Sequence, residues 1–366
     1  VRDPADQTRT LHEIAELHER RGGALDLALA ALARAWRIDV ADDAALAKLL
    51  ALAGKLGAWD EAATTLEGGA AAAESSDLSA ALWARAAEIH ETRRGDLGRA
   101  IEAWRKVLHA LPDDLPALTA LDRLLALDHR VDELVVVVAR RADLTEDAGA
   151  RLVLLHRVAA LYEEVLEEPV AAIAAYRNVL AADDADLAAL DALERLYRAS
   201  AEPGAARELV ATLERKIELT ASLPERQALR RAAADVLGQR LGDVHQAIGQ
   251  LTAILDDDPT DAGALAELDR IYGAQAMWPE LLEVFDRRAG LAITTAERAE
   301  LACRAATLVE GELRDPAAAV GRYGGVLAIA ADHAGARAAL AGLLAHDDHA
   351  EPAAQILEGV YRADRD

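Results

Sequence analysis

Apolar residues return along this chain at intervals of three and four. In residues 152–166, LVLLHRVAALYEEVL, they include Leu154, Leu155, Val158, Leu161, Tyr162 and Val165, one stripe of an amphipathic helix. The EE before Pro169 interrupts that stripe. Pro169 then suits the first turn of a second helix, VAAIAAYRNVL, where its missing N–H would be unpaired anyway. AADDAD offers capping carboxylates to a third helix, LAALDALERLY, which sets Leu187, Leu190, Leu193, Leu196 and Tyr197 in register. After RASAEPG a fourth helix, ARELVATLERKIEL, follows. Four helices joined by short loops predict two antiparallel hairpins.

The same pattern recurs. ALDRLL at 120–125, ALERLY at 192–197 and ELDRIY at 267–272 are spaced by 72 and 75 residues. A second marker, AIEAW, AIAAY, AIGQL and AVGRY, begins at Ala100, Ala172, Ala247 and Ala319, and one further step back reaches Ala28 in ALAAL. The three extra residues fall where RASAEPG (198–204) replaces ALDHR (126–130), as expected of a surface turn. A repeat of this length predicts one continuous array over 1–366, in units of approximately 8–79, 80–151, 152–226, 227–298 and 299–366. A lone hairpin cannot bury its stripe, but stacked hairpins can. The five recurring alanines are then the small residues where helices approach closely.

Composition supports an all-α reading. Hydrophobic residues make up 52% but aromatics only 3%, so the apolar content is mainly the helix formers Ala and Leu. The formal charge of −24 repels phosphate backbones and anionic lipid, which argues against nucleic acid and membrane surfaces as partners. No apolar run reaches the roughly 20 residues of a membrane-spanning helix. Only four of the 40 basic residues are lysine, which suggests a GC-rich, here bacterial, genome. The single cysteine, Cys303, excludes an intrachain disulfide. The chain starts at Val1; a cytoplasmic address is the default, with an upstream targeting segment left open.

At this point the residues resemble the tetratricopeptide repeat family. Trp83, Ala159 and Tyr162 match its first-helix Trp, small and Tyr positions. The five alanines match its second-helix Ala, Trp104, Tyr176 and Tyr323 its aromatic, and Pro112 and Pro259 its closing Pro. The alternate hairpins depart from the pattern, with Glu194 at a small position and Leu134, Leu209 and Leu281 at the Ala position. The resemblance implies a right-handed α-solenoid of about ten antiparallel hairpins, whose first helices line a concave surface that holds other proteins or peptides. Carried over, the groove position two residues before the Tyr position holds Glu16, Glu88, Ala160, Asp235 and Thr307 in one hairpin class. In the other it holds Ala51, Arg123, Arg195, Arg270 and Gly342. Glu16, Glu88, Arg123, Arg195, Asp235 and Arg270 are therefore the candidate partner-binding residues. Two readings stay open: a ladder of acid–Arg pairs between neighbouring helices, or a charged groove that selects a partner by complementary charge.

Nothing points to catalysis, a cofactor or a metal. HDDH at 346–349 has metal-ligand residue types but falls in a turn, and DDDPTD at 256–261 lacks the Gly and bidentate Glu of a calcium loop. Cys303 lies on an apolar helix face, and His18 and His90 at Tyr positions are expected in the core. The expected function is a non-enzymatic protein-interaction scaffold. The alternative is a structural protein whose copies stack end to end into a filament, and the chain is also read as a slice of a longer array.

Overall fold

The computed structural model describes residues 3–20, 23–345 and 347–363, and every regular element among them is helical. Two compact units divide at residue 189. The first contains α1 (Pro4–Arg20), α2 (Leu25–Ile38), α3 (Asp43–Leu56), α4 (Trp59–Ala72), α5 (Ser76–Ile89), α6 (Leu97–Ala110), α7 (Leu115–Leu127), α8 (Val131–Leu144), α9 (Ala148–Ala160) and α10 (Pro169–Ala182). Helix α11 (Leu187–Ala199) begins just before the division. The second unit continues with α12 (Ala205–Leu219), α13 (Leu223–Val236), α14 (Val244–Asp257), α15 (Ala262–Ala274), α16 (Trp278–Leu291), α17 (Thr295–Gly311), α18 (Pro316–Ile329), α19 (Ala334–Leu343) and α20 (Asp347–Ala363). Within each unit helices pack on their sequence neighbours, α1 on α2, α2 on α3, and α13 on α14, α14 on α15 in the same manner. The chain is an all-α solenoid of helix hairpins.

The helix ends explain why so regular a series forms. Asp42, Asp114, Asp186 and Asp261 each accept the backbone N–H of the third helical residue, Ala45, Ala117, Ala189 and Ala264, at 2.7–2.9 Å. His333 does the same for Ala336 through Nδ1 at 3.2 Å. One of the four otherwise unpaired donors of a helix start is thereby satisfied at the same register in every repeat. The last acid of DDDPTD, Asp261, is thus a cap. The carboxyls of Asp42, Asp186 and Asp261 lie below the usual range. For Asp42 the Ala45 N–H is the main cause. For the other two, burial works against the shift and is outweighed by the N–H donors together with His156 or Arg231.

Chain reversal is equally periodic. Gly57, His129 and Ala276 adopt left-handed backbone, and the following N–H reaches back to close the helix: Ala58 to the Ala53 carbonyl, Arg130 to Leu125, Met277 to Tyr272. Three other first helices, α5, α9 and α13, end in a wider π turn, His90–Arg94, Leu161–Val165 and Leu237–Leu241. Left-handed residues follow these turns too, at Gly95, Glu167 and Gly242. The three extra residues lie between α11 and α12, where left-handed Gly204 returns the chain to register.

Packing follows the repeat. Ala28, Ala100, Ala172, Ala247 and Ala319 are all fully buried, and Trp104, Tyr176 and Tyr323 are in the core with them. Leu134, Leu209 and Leu281 are buried as well, so the departures from the family pattern are packed. Because Ala172 has no exposed surface, Ala172→Leu must displace neighbours and is expected to cost on the order of 1–3 kcal/mol. A urea titration reads this directly, and an unchanged midpoint refutes it.

Candidate protein-interaction surface

All six candidate residues project from first helices of hairpins and are exposed: Glu16 on α1, Glu88 on α5 and Arg123 on α7; Arg195 on α11, Asp235 on α13 and Arg270 on α15. Each directly follows a residue turned into the structure. For the acids that residue is a buried alanine, Ala15, Ala87 or Ala234. For the arginines it is an acid, Asp122, Glu194 or Asp269, with side-chain exposure of 5%, 13% and 13%. At these six positions the two hairpin classes are therefore inverted in charge. One presents an acid outward over a small apolar residue, the other an arginine outward over an inward acid.

The inward acids are held by bases that recur with them. Asp122 is bound by Arg141 of α8 and by Arg157 of α9 at 2.6 and 2.8 Å. Asp269 is bound by Arg288 of α16 and by Arg304 of α17 at 3.2 Å. Glu194 accepts from Lys216 of α12 at 2.5 Å and from Arg198 at 2.6 Å. Burial alone would raise the Glu194 carboxyl, but Lys216 and Arg198 hold it below the usual range. The family resemblance makes Glu194 an anomaly at a small-residue position; in the structure it is one of three acids with a fixed role. These acids were legible in their own spacing, since Asp122, Glu194 and Asp269 are 72 and 75 residues apart, and Arg141, Lys216 and Arg288 are 75 and 72 apart.

The acid–Arg ladder between candidate positions forms differently from its expectation. Arg123 pairs with Glu91, at 2.5 and 2.8 Å through both guanidinium nitrogens, and the bonding to Glu91 raises its pKa. Glu88, one turn earlier, is left facing solvent. Glu16 lies 3.7 Å from Arg20 and 3.9 Å from Lys48, long contacts between exposed groups. Asp235 accepts from Gln239 on its own helix segment, and Asp235 and Arg270 line one small cavity of ≈ 160 Å³ with Glu267. Burial pushes the Glu267 carboxyl up.

Other sequence features resolve simply. His90 is fully buried between Glu67 at 2.7 Å and Arg94 at 2.8 Å, whereas His18 is only half-buried. Burial raises the Cys303 thiol, which disfavours the reactive thiolate. His346 of HDDH lies outside the described residues. Among the described residues, no helix is long and apolar enough to cross a membrane.

No family model matches the chain, and no curated protein matches it either. Among solved structures, one of Naa15/Naa10 bound to HypK-THB is similar at 14% identity, covering 97% of this chain and 53% of that one, with a TM-score of 0.30. The chain thus spans about half the length of that relative. YrrB, described as a TPR protein with an unusual peptide-binding site, is similar at 15% identity over 51% of this chain and 91% of its own, with a TM-score of 0.27. The P58(IPK) TPR domain is similar at 16% identity over 87% and 97%, with a TM-score of 0.25. By its hairpin order, its 72-residue period and the buried small residues at fixed register, the chain is an all-α array of helix hairpins that resembles the tetratricopeptide repeat family.

Proposed function

We propose that the protein is a non-enzymatic scaffold that holds other proteins or peptides against the first helices of its hairpins. The observation that carries this reading is the recurrence of exposed charge at one register position, acid in one hairpin class and arginine in the other, each beside an inward residue. Charge displayed at fixed intervals selects partners by complementarity and sets their register more than it adds raw affinity. Glu16, Glu88, Arg123, Arg195, Asp235 and Arg270 are the residues assigned to that contact. Polypeptide is the favoured partner class, and the net charge of −24 disfavours nucleic acid.

The test is comparative. A partner recovered on the immobilised chain and purified should bind the triple variant Arg123→Ala, Arg195→Ala, Arg270→Ala at least tenfold more weakly, a loss of about 1.4 kcal/mol or more. The variant's own unfolding midpoint should barely move, because the arginines removed are exposed. Equal losses of binding and stability would assign these residues to the fold instead.

A second reading, copies of the chain stacking on one another, draws on exposed apolar side chains of α1 and α2: Ile14, Leu17, Leu27 and Ile38. Sedimentation velocity over a wide concentration range separates the two, since stacking yields an open series of larger species.

A further inference from the structure

The pair of Glu91 with Arg123 has a register equivalent in which one half is missing. Glu91 is the second residue of the π turn His90–Arg94, and Arg123 stands 32 residues later on α7. The same positions in the second compact unit are Gly238, second residue of the π turn Leu237–Leu241, and Arg270, 32 residues later on α15. Among the described residues Arg270 makes no hydrogen bond or ion pair; its charge is felt by Glu267, one turn back on the same helix. Where the glutamate side chain would lie there is the cavity of ≈ 160 Å³, bordered by Asp235, Gly238, Gln239, Ala247, Glu267 and Arg270. A Cβ built on Gly238 would meet only the Ala247 Cβ, at 3.9 Å, an ordinary contact, so a side chain can start from this position without a clash at its Cβ.

We propose that this cavity receives the side-chain carboxylate of an aspartate or glutamate from a partner protein, which completes with Arg270 the pair that Glu91 makes with Arg123. The proposal rests on the scaffold reading and specifies one of its contacts. The chain supplies its own precedent for the chemistry: a carboxylate at this register engages the arginine with both oxygens. The neighbouring acid Asp235 is no obstacle, because Glu88 occupies its place beside the Glu91–Arg123 pair. Glu267 is an additional acid, where the other repeat has Ala120. Burial already favours its neutral form, so it yields its charge to an incoming anion more readily than an exposed glutamate does. The surrounding charge of −24 repels acidic tracts, so the site fits a single acid on an otherwise neutral or basic surface.

The experiment uses the full chain labelled with ¹⁵N-arginine, with the Arg270 Nε–Hε signal identified by its loss in Arg270→Lys. The probe is N-acetyl-glutamate N-methylamide, whose only carboxylate is the side chain, titrated at ionic strength held constant with sodium chloride. The Arg270 signal should move saturably while the Arg123 signal, already matched by Glu91, stays in place. Gly238→Glu should displace the Arg270 signal without probe and weaken the response to probe at least tenfold. Gly238→Ala, which adds no carboxylate, should keep the response. An absent or unsaturable shift overturns the proposal, as does an equal shift with chloride alone or an undiminished response in folded Gly238→Glu. N-acetyl-alanine, offering only a terminal carboxylate, should move the signal less; a larger movement than the glutamate probe gives overturns the side-chain assignment. The wild-type titration decides the matter even if Gly238→Glu does not fold. The triple arginine variant tests the scaffold reading separately, on an intact partner.

Discussion

Gly69→Ala should destabilise the protein by about 1–3 kcal/mol, although Ala is the better helix former. Gly69 lies inside α4, and on helix propensity alone the change would gain up to about 1 kcal/mol. A Cβ at this position, however, falls well inside van der Waals contact with the six-membered ring of Trp36 and 3.0 Å from Val40 Cγ1. Trp36 is fully buried, and among the described residues its indole Nε1 finds no hydrogen-bond partner, so the ring is held by packing. Sterics outweigh propensity and the sign reverses. Gly68 provides the control: it is exposed, a Cβ there meets nothing within 4 Å, and Gly68→Ala should stabilise by roughly 0.5–1 kcal/mol. Thermal or urea unfolding of the two variants in parallel checks both signs. If Gly69→Ala gains stability as Gly68→Ala does, the close packing of Trp36 on α4 is wrong.

Asp122→Ala is expected to cost about 2–3 kcal/mol. Removing one partner of a fully buried ion pair costs 3–5 kcal/mol because the other charge is stranded. Here Asp122 is 5% exposed but Arg141 and Arg157 are 22% and 40% exposed, so both can recover some hydration and the loss is smaller. The deficit should persist in 1 M salt, since burial limits screening. Removing the exposed Asp6–Arg9 pair should move stability by under about 0.5 kcal/mol. A loss for Asp122→Ala no greater than that of the Asp6 pair would show the inward acid to be ornamental. Asp122→Leu combined with Arg141→Met should restore most of the stability, because well-packed apolar residues can replace buried ions at little net cost.

The two predictions concern equivalent places in the repeat. The register that holds Leu108, Asp122 and Arg141 in one repeat holds Trp36, Leu50 and Gly69 in the first, and Leu327, Ala341 and Val360 in the last. Trp36 occupies an interior that elsewhere accommodates an acid and its base, and Gly69 is small because the indole is large. Trp36→Leu should therefore rescue Gly69→Ala.

Much of this was legible in the sequence and some was not. The hairpins were readable because helix period, proline, capping acids and the 72-residue spacing all agree; α10 begins at Pro169, and α12 ends at Leu219, where the apolar pattern places them. The π turns were not readable, since their sequences, HETRR, LYEEV and LGQRL, share no common signal. At the candidate surface, exposure of Glu16, Glu88, Arg123, Arg195, Asp235 and Arg270 follows from helix periodicity, but pairing does not. From spacing alone Arg123 could be assigned to Glu88 or Glu91; in the structure it engages Glu91, which lies on the widened turn. The inward acids were passed over because a family pattern asks whether a position conforms, whereas Asp122, Glu194 and Asp269 conform to one another.

The alternation of hairpin classes also bears on how such a chain can change length. Excising α13 and α14 alone would set the hairpin carrying Glu194 against the hairpin carrying Asp269, two inward acids on adjoining layers with no apolar layer between. Excising four consecutive helices restores the original order of layers. The smallest segment that can be lost or duplicated with the order of layers kept is therefore a double hairpin, the unit in which the sequence counts.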